Sequence, residues 1–388
     1  MPIKTIKLII FLSIFLIPSF TGKINIINDH DKTITPVKIN ENLDEMIGQM
    51  IMIGFRGLYV NSLSQVIQDI KAERIGGVIL FNKDIILRSN IRNIKSKDQV
   101  INLIKTLKKY SKYPLLVAVD QEGGIVNRLN EIKGFGNTVS QKYLGLINDE
   151  KTTRVNARKT ASLLDELGFN INFSPVVDID INKDNPIIGK KERSFSGDPV
   201  VVTNQAKWVL EEYLKYNIYG AIKHFPGHGS SCGDSHLGFT DVTGTWQECE
   251  LIPYKELIKE NKVDLIMTAH IFNAKLDPDY PATLSKKILT DLLRNKLKYR
   301  GIIITDDMGM KAIADYYDFE QSIELAINAG ADILLFANNL AYNKNIAEDV
   351  VKTIKKLIKE NKVDIKQIQD SYYKIINFKK RLSYPEFK

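Results

Sequence analysis

Short apolar runs alternate with longer amphipathic stretches from about residue 46 to the end of the chain. Eight of these runs are rich in valine and isoleucine, nearly continuous in apolarity, and bounded by Gly, Asn or Asp. Such runs are typical of parallel strands that are covered on both faces. In chain order they read QMIMIGF, GGVILF, LLVAVD, INFSPVVDI, AIKHF, LIMTAH, GIIITD and ADILLFA.

The stretches between the runs have helical spacing. Residues 99–110 and 152–167 place Ile, Leu and Ala three and four positions apart, and the second stretch stops at Gly168. Two closing helices are predicted from the apolar faces that begin at Ile346 and Ile365. Eight alternations of strand and helix predict an α/β protein with a single (β/α)8 barrel of the TIM type.

An open, doubly wound sheet is the alternative fold. It is disfavoured because no G-x-G-x-x-G follows the first strand and no G-x-x-x-x-G-K-[ST] occurs in the chain.

Residues 1–22 differ from the rest of the chain. Lys4 and Lys7 precede the apolar run LIIFLSIFLIPSF, which is shorter than the roughly 20 residues of a membrane span. We therefore expect 1–22 to be a signal peptide or an N-terminal membrane tether, with a buried helix as the alternative, and 23–388 to be the catalytic barrel domain. This predicts an exported protein, periplasmic or extracellular. Two cysteines, Cys232 and Cys249, are too few for a disulfide scaffold, although one bridge between them stays open.

The formal net charge of +8 comes from lysines spread along the sequence. The chain lacks the dense Lys/Arg blocks interleaved with aromatic residues that mark nucleic-acid arms. We therefore expect no nucleic-acid partner. The basic surface is interpreted as solvated, with attraction to anionic envelope polymers as the alternative.

Polar side chains follow the predicted strands where each strand ends. They are Asp120, Asp178, Lys223, His224, His270 and Asp306. Active sites of (β/α)8 barrels lie at the carboxyl ends of the strands. These residues are therefore expected to meet at one mouth of the barrel.

The stretch from Lys223 to Asp241 carries three of the five histidines of the chain and begins with a strand pattern. Retaining glycoside hydrolysis needs a carboxylate nucleophile and a proton donor to the leaving oxygen. Asp306 could be the nucleophile, His236 the donor, and Asp234 the carboxylate that orients the imidazole. Because the stretch beyond the strand has no regular pattern, we expect this loop to reach its catalytic position when substrate binds.

Two other chemistries are conceivable for the same residues. His224, His228, Asp234 and His236 could hold a metal, but Pro226 and Gly227 prevent the helical i, i+4 pair of a zinc motif. A phosphate cradle lacks a recognisable loop motif, and the G-x-S-x-G of a serine nucleophile is absent. We expect neither a metal nor an organic cofactor.

Several motifs together resemble the bacterial β-N-acetylglucosaminidases of glycoside hydrolase family 3. They occur in the family's order as AVDQEGG with the following Arg128, NFSPVVDID, ERSFSGDP, KHFPGHGSSCGDSH, MTAH and ITDDMGM. The resemblance implies a (β/α)8 barrel, a retaining mechanism, Asp306 as nucleophile rather than the adjacent Asp307, and His236 as acid/base with Asp234 as its partner. It further implies that the terminal sugar is held by Asp120, Arg128, Arg193, Lys223 and His224.

Many members of that family carry a second α/β domain after the barrel. Here the residues beyond the last predicted strand suffice for the closing helices, so we expect a single-domain version. The expected activity is that of an exo-acting β-N-acetylhexosaminidase that removes N-acetylglucosamine from peptidoglycan fragments or related glycans. A phosphorylase on the same fold and a non-catalytic glycan-binding protein are the alternatives.

Overall fold

Ten strands occur in the part of the chain that the computed structural model describes, residues 43–235 and 237–382. The strands are Ile51–Gly54 (β1), Gly77–Ile79 (β2), Leu116–Val119 (β3), Gln121–Gly123 (β4), Val126–Asn127 (β5), Ile171–Asn172 (β6), Tyr219–Phe225 (β7), Leu265–Thr268 (β8), Ile302–Ile304 (β9) and Leu334–Phe336 (β10). All but β4 and β5 form one parallel sheet in the order β10-β1-β2-β3-β6-β7-β8-β9.

The sheet closes on itself between its first and last strands. A parallel bridge joins Ile304 of β9 to Ile333 beside β10, and the Thr305 N–H donates to the Ile333 carbonyl at 3.0 Å. The predicted (β/α)8 barrel is confirmed. All eight apolar runs are strands of this barrel, and they are buried because helices cover their outer faces while apolar side chains fill the interior.

The helices follow the strands and surround them. They are Leu43–Gln49 (α1), Gln65–Lys71 (α2), Lys97–Lys109 (α3), Gln141–Ile147 (α4), Glu150–Leu167 (α5), Pro199–Leu214 (α6), Ile252–Lys259 (α7), Lys311–Ala314 (α8), Phe319–Ala329 (α9), Ile346–Lys359 (α10) and Ile365–Lys379 (α11), with a π-helix at Lys287–Lys296. Short 3₁₀ turns occupy Glu131–Lys133, Glu248–Leu251 and Ala282–Leu284.

Local sequence signals explain where the two longest outer helices begin and end. At the start of α5 the Asp149 side chain accepts from the Thr152 N–H, and α5 ends at Gly168, whose φ is 90°. At the start of α6 Asp198 caps the helix and Pro199 occupies its first turn. The four helices predicted from sequence spacing are confirmed as α3, α5, α10 and α11.

One predicted strand is shorter than its apolar run. Pairing of the fourth barrel strand stops after Asn172, and the chain rejoins the sheet only through a bridge between Val176 and Lys223. Pro175 lies between these positions and has no N–H to donate to a neighbouring strand. The irregular segment carries Asp178 toward the loops at the barrel mouth.

The end of the barrel opposite the strands' carboxyl ends is closed by α1 and α11. Lys379 of α11 is buried, and its Nζ donates to the Gln49 side-chain oxygen at 2.6 Å and to the Gly76 carbonyl at 2.7 Å. Beside it, the Tyr372 hydroxyl donates to Glu45 at 2.8 Å. Polar contacts therefore tie the two terminal helices to the bottom of the barrel.

No helix in the described ranges is long and apolar enough to cross a bilayer. The predicted signal peptide or tether, residues 1–22, lies outside the described residues.

Candidate active site

A cavity of about 330 Å³ opens at the carboxyl ends of the barrel strands. Six residues that the sequence assigned to catalysis or sugar binding line it: Asp120, Arg128, Arg193, Lys223, His224 and Asp306. Lys223 and His224 are the fifth and sixth residues of β7, whereas Asp120 and Asp306 come just after β3 and β9. The barrel thus brings together side chains that lie far apart in the sequence, as the strand-end argument predicted.

Four side chains form a connected ion network on one wall of this cavity. Lys223 Nζ lies 3.0 Å from Asp120 Oδ1 and 2.7 Å from Glu122 Oε1. Arg193 holds Glu122 with two parallel hydrogen bonds of 2.8 Å each. A fifth side chain, Arg128, contacts Asp120 Oδ2 at the longer distance of 3.3 Å. We call Asp120, Glu122, Arg193 and Lys223 the ion network.

The cations of the ion network keep its carboxylates ionised. Burial raises the pKa of Glu122, but the adjacent Arg193 and Lys223 outweigh it and hold that pKa far below its usual value. For Asp120, too, burial is opposed by Lys223 and Arg128, which lower its pKa. Both carboxylates can therefore accept hydrogen bonds from sugar hydroxyls at neutral pH.

Glu122 is a site residue that the sequence reasoning missed. It lies in the AVDQEGG motif, two positions after Asp120, in the short hairpin formed by β4 and β5. The one sequence feature that could have indicated Glu122 as a site residue was its position as a second carboxylate just after a predicted strand. Its two partners, Arg193 and Lys223, are too distant in the chain for any local pattern to pair them.

His224 is oriented by a buried carboxylate. Its Nδ1 lies 2.7 Å from Asp178 Oδ2, so Nδ1–H donates to Asp178 and Nε2 is left to accept from Arg193 Nη2 at 3.3 Å. Burial raises the pKa of Asp178, but contact with His224 and His228 lowers it overall. The sequence predicts Asp178 to be among the residues at the barrel mouth. Its side chain there orients the ring of His224, which lines the cavity.

The two aspartates after β9 have different surroundings. Asp307 is buried, and its Oδ1 accepts from the backbone N–H groups of Gly309 and Ala337 at 3.0 and 2.9 Å. Burial raises the pKa of Asp307 to about 6. Asp306 is half-buried, and its Oδ1 accepts from the Asp307 N–H at 2.8 Å. Both aspartates line the cavity. Asp307 thus holds the backbone through its side chain, and the assignment of Asp306 as the reactive carboxylate stays a prediction.

His270 also forms a hydrogen bond with the backbone at the end of β9. It is buried, its Nε2–H donates to the Asp307 carbonyl at 3.0 Å, and its Nδ1 lies 2.8 Å from Thr283 Oγ1. His270 therefore fixes the loop that carries Asp306 and Asp307.

The predicted proton donor His236 lies outside the described residues. Its partner Asp234 is half-buried, and the Asp234 carbonyl accepts from the Leu237 N–H at 2.9 Å. Within the described ranges Asp234 is not part of the cavity lining. The roles of His236 and Asp234 stay predictions.

The first part of the histidine-rich loop is held firmly. The Gly229 N–H donates to Glu250 Oε2 at 2.9 Å, and Asn185 Nδ2 donates to the His228 carbonyl at 2.7 Å. His228 itself is buried, and burial lowers its pKa to about 4, so it is neutral at neutral pH. Contacts continue along the loop, where the Ser231 hydroxyl donates to the Gly233 carbonyl at 2.8 Å and His228 Nε2 lies 3.2 Å from the Oγ of the buried Ser235.

Glu250 is buried beneath this loop without a cation partner among the described residues. Burial and the nearby charge of Asp178 raise the pKa of Glu250 to about 7.

Neither a metal cluster nor a disulfide occurs in the described part of the chain. No group of three His, Cys, Asp or Glu side chains there could hold a metal ion. Cys232 and Cys249 are both free thiols.

The sequence from residue 42 to residue 378 matches the family model described as the glycosyl hydrolase family 3 N terminal domain. The chain belongs to glycosyl hydrolase family 3. The resemblance read from the motifs is confirmed over nearly the whole described barrel.

Relatives of this family 3 chain include β-hexosaminidase A of Pseudoalteromonas piscicida, which is 31% identical over 388 residues. The match covers 90% of this chain and 62% of the Pseudoalteromonas protein. A β-hexosaminidase of Tolumonas auensis is 36% identical over 273 residues, with 69% of this chain and 77% of the relative covered. A solved family 3 β-N-acetylglucosaminidase from Paenibacillus sp. str. FPU-7 superposes with a TM-score of 0.80 at 30% identity, covering 88% of this chain and 62% of that one. The chain thus spans less than two thirds of the length of the Pseudoalteromonas and Paenibacillus proteins.

Proposed function

We propose that the chain is a retaining exo-acting β-N-acetylhexosaminidase that releases terminal N-acetylglucosamine from glycans such as peptidoglycan fragments. The observation that carries this proposal is the cavity at the barrel mouth, which is lined together by Asp306, the ion network and His224. Family membership and the named activities of the relatives support it.

The proposed reaction has two steps. Asp306 attacks the anomeric carbon as the bond to the leaving oxygen breaks, and His236 gives its proton to that oxygen. Water then attacks the anomeric carbon of the glycosyl-aspartate while His236 takes a proton from the water, and the Asp306 carboxylate is released. Asp234 beside His236 would favour the protonated ring after the second step.

The ion network and His224 would position the sugar. Asp120 and Glu122 offer acceptors and Lys223, Arg193 and Arg128 offer donors, and these groups are fixed by one another before substrate arrives. Such fixed groups stabilise the oxocarbenium-like transition state without the cost of reorganising at that moment.

Export to the periplasm or cell surface is part of the proposal and rests on the sequence of residues 1–22.

The activity is tested with aryl β-N-acetylglucosaminide, β-N-acetylgalactosaminide and β-glucoside compared side by side, with and without inorganic phosphate. We expect the acetamido sugars to be hydrolysed and the products to be unchanged by phosphate. Release of a sugar phosphate would indicate the phosphorylase, preference for the glucoside would overturn the proposed substrate class, and binding without turnover would indicate a glycan-binding protein.

The nucleophile is tested by labelling with a slow 2-fluoro sugar. The wild-type protein should gain one sugar mass on the peptide that contains Asp306, and Asp306→Ala should gain none, as intact and peptide mass spectrometry would show. Full labelling of Asp306→Ala would place the nucleophile at another residue.

A further inference from the structure

Large aliphatic side chains are exposed together at one side of the cavity mouth. They lie in the loop after β2, in the β4–β5 hairpin and in the 3₁₀ turn that follows it. We call these residues the rim patch: Ile85, Ile86, Leu87, Ile91, Ile125 and Ile132. Leu87 is 63% exposed, Ile125 62% and Ile132 96%. Single exposed aliphatics are ordinary on a protein surface, but a cluster of this kind marks an interaction site.

The loop that carries most of the rim patch is rigid. Asp84 and Ser89 exchange two backbone hydrogen bonds of 2.9 and 3.0 Å, which closes a tight turn with Ile85, Ile86 and Leu87 at its tip. The Asp84 carboxylate is held by Arg56 at 2.7 Å and by the buried Arg92 at 2.9 Å. The exposed side chains are therefore presented by a fixed scaffold, and little backbone entropy is lost when a partner covers them.

The separate loops of the rim patch are fastened to one another. Lys133 Nζ donates to the carbonyls of Asn90 and Ile94 at 2.7 and 2.8 Å, which places Ile132 beside the loop that carries Ile91. On the inner side, Ile85 and Ile125 both line the catalytic cavity. The patch is thus one surface that borders the mouth.

Positive charge surrounds the patch. Lys83 and Arg88 are exposed and have no carboxylate partner among the residues that the structure describes. Lys133 adds a third positive charge, although its Nζ donates to backbone carbonyls, and Glu131 is the exposed acid beside them. The charge of Lys83, added to burial, lowers the pKa of Lys133, which shows that these cations are close together. A partner for this surface must be apolar in part and anionic in part.

We propose that the rim patch docks the barrel mouth on an anionic lipid bilayer. Aliphatic tips that enter the boundary between headgroups and acyl chains, flanked by cations that contact anionic headgroups, are the pattern of an interfacial protein. A second copy of the chain fits less well, because a two-fold contact through this patch would bring Lys83, Arg88 and Lys133 against their own copies.

Further apolar side chains at the same end of the barrel agree with this orientation. Phe239 and Tyr316, on loops after β7 and β9, are exposed, and their rings are 5.4 Å apart. At the opposite end of the barrel, Leu214 at the last position of α6 is exposed. Docking by the rim would turn the cavity toward glycans held at the membrane surface. The docking proposal goes beyond the proposed glycosidase function and does not depend on it.

The test places a tryptophan in the patch and another at the far end of the barrel. Full-length Leu87→Trp and Leu214→Trp are titrated with vesicles of phosphatidylcholine containing phosphatidylglycerol, and the emission of the wild-type chain is subtracted. The Leu87→Trp emission should shift to the blue and be quenched by brominated lipid, whereas the Leu214→Trp emission should not change. Because the signal reports residue 87 itself, the result stands whether or not residues 1–22 also bind the vesicle.

The charge requirement is tested in the same titration. With phosphatidylcholine alone, or in 1 M salt, the lipid concentration for a half-maximal shift should rise at least about tenfold. An unchanged Leu87→Trp emission, or equal shifts at the two positions, would overturn docking by the rim patch. Equal binding to neutral and anionic vesicles would overturn the choice of an anionic bilayer.

Discussion

Neighbouring carboxylates at the end of β9 differ in chemistry because their surroundings differ. Asp307 is buried and its Oδ1 accepts from two backbone N–H groups, while Asp306 is half-buried and its Oδ1 accepts from the Asp307 N–H. His224 and His228 are both buried but have different partners. His224 lines the cavity and is oriented by Asp178, whereas the His228 ring contacts Ser235 within the loop. At the scale of the residue, the nearest partners give each member of such a pair a different environment, and we predict that Asp306 and His224 are the members that contact substrate.

His236→Ala should lower kcat/KM most for substrates with poor leaving groups, because only those need a proton in the first step. Alkyl and aryl N-acetylglucosaminides compared in one series measure this effect, and a loss of about 100-fold or more is expected for the alkyl substrates. The neighbouring Leu237→Ala is the matched control, since Leu237 is 74% exposed. An equal loss for alkyl and aryl substrates would argue against His236 as the acid.

Glu122→Gln should leave Arg193 and Lys223 without their shared buried carboxylate. Breaking a buried ion pair costs about 3–5 kcal/mol, so we expect a large fall in the free energy of unfolding, measured in urea, and a parallel loss of kcat/KM. Glu211→Gln is the control, because Glu211 also pairs with two cations, Arg154 and Lys262, but is partly exposed. If the two variants were equally stable, the ion network would have no structural role.

Elements of this fold differ in how well the sequence predicts them. The barrel strands were predictable because a strand that is buried on both faces is nearly continuously apolar. Helices such as α5 were predictable from the spacing of their apolar residues and from their capping residues. The β4–β5 hairpin was not predicted, since QEGGIVN has neither pattern and is fixed by long-range contacts. Glu122 was missed for the same reason, because its role depends on Arg193, 71 residues away.

One of the groups that hold the loop after β7 is a buried carboxyl, so the stability of the protein should depend on pH. The pKa of Glu250 is raised to about 7 from a usual value of 4.5. Between these two values the folded state binds more protons than the unfolded state, so the contribution of Glu250 to stability falls as pH rises through this window.

Glu250→Gln should remove that dependence, because a glutamine oxygen can still accept from Gly229 without ionising. Unfolding in urea at pH 5, 6 and 7 measures the slope, which should flatten in the variant by up to about 1.4 kcal/mol per pH unit. The control is Glu248→Gln, an exposed position in the same turn. An unchanged slope in Glu250→Gln would show that this carboxyl does not titrate in the window.

At the scale of the whole molecule, the closure of the barrel bottom also carries a buried ionisable group. Lys379 joins α11 to the chain before β1 and β2 through oxygens that bear no charge, and burial lowers the pKa of its amine to about 7 from 10.5. In this window the unfolded state binds the extra proton, so stability should rise with pH from about 7 toward 10.

Lys379→Met should abolish that rise while keeping the volume of the side chain. Thermal unfolding between pH 7 and 9.5 tests this, with Lys380→Met, an exposed neighbour, as the control. The wild-type and Lys380→Met slopes should agree and exceed the Lys379→Met slope by up to about 1.4 kcal/mol per pH unit. Three identical slopes would mean that Lys379 stays charged throughout.

The ion network has a consequence for anyone who sets out to change which sugar the barrel accepts. Its four members complete one another, so a library of single substitutions at these positions would return mostly poorly folded clones and would hide any altered preference. Useful variants should instead come from paired exchanges that keep the charges balanced, such as replacing Glu122 and Arg193 together. Changes to the sugar preference on this wall of the cavity should therefore be sought among double variants.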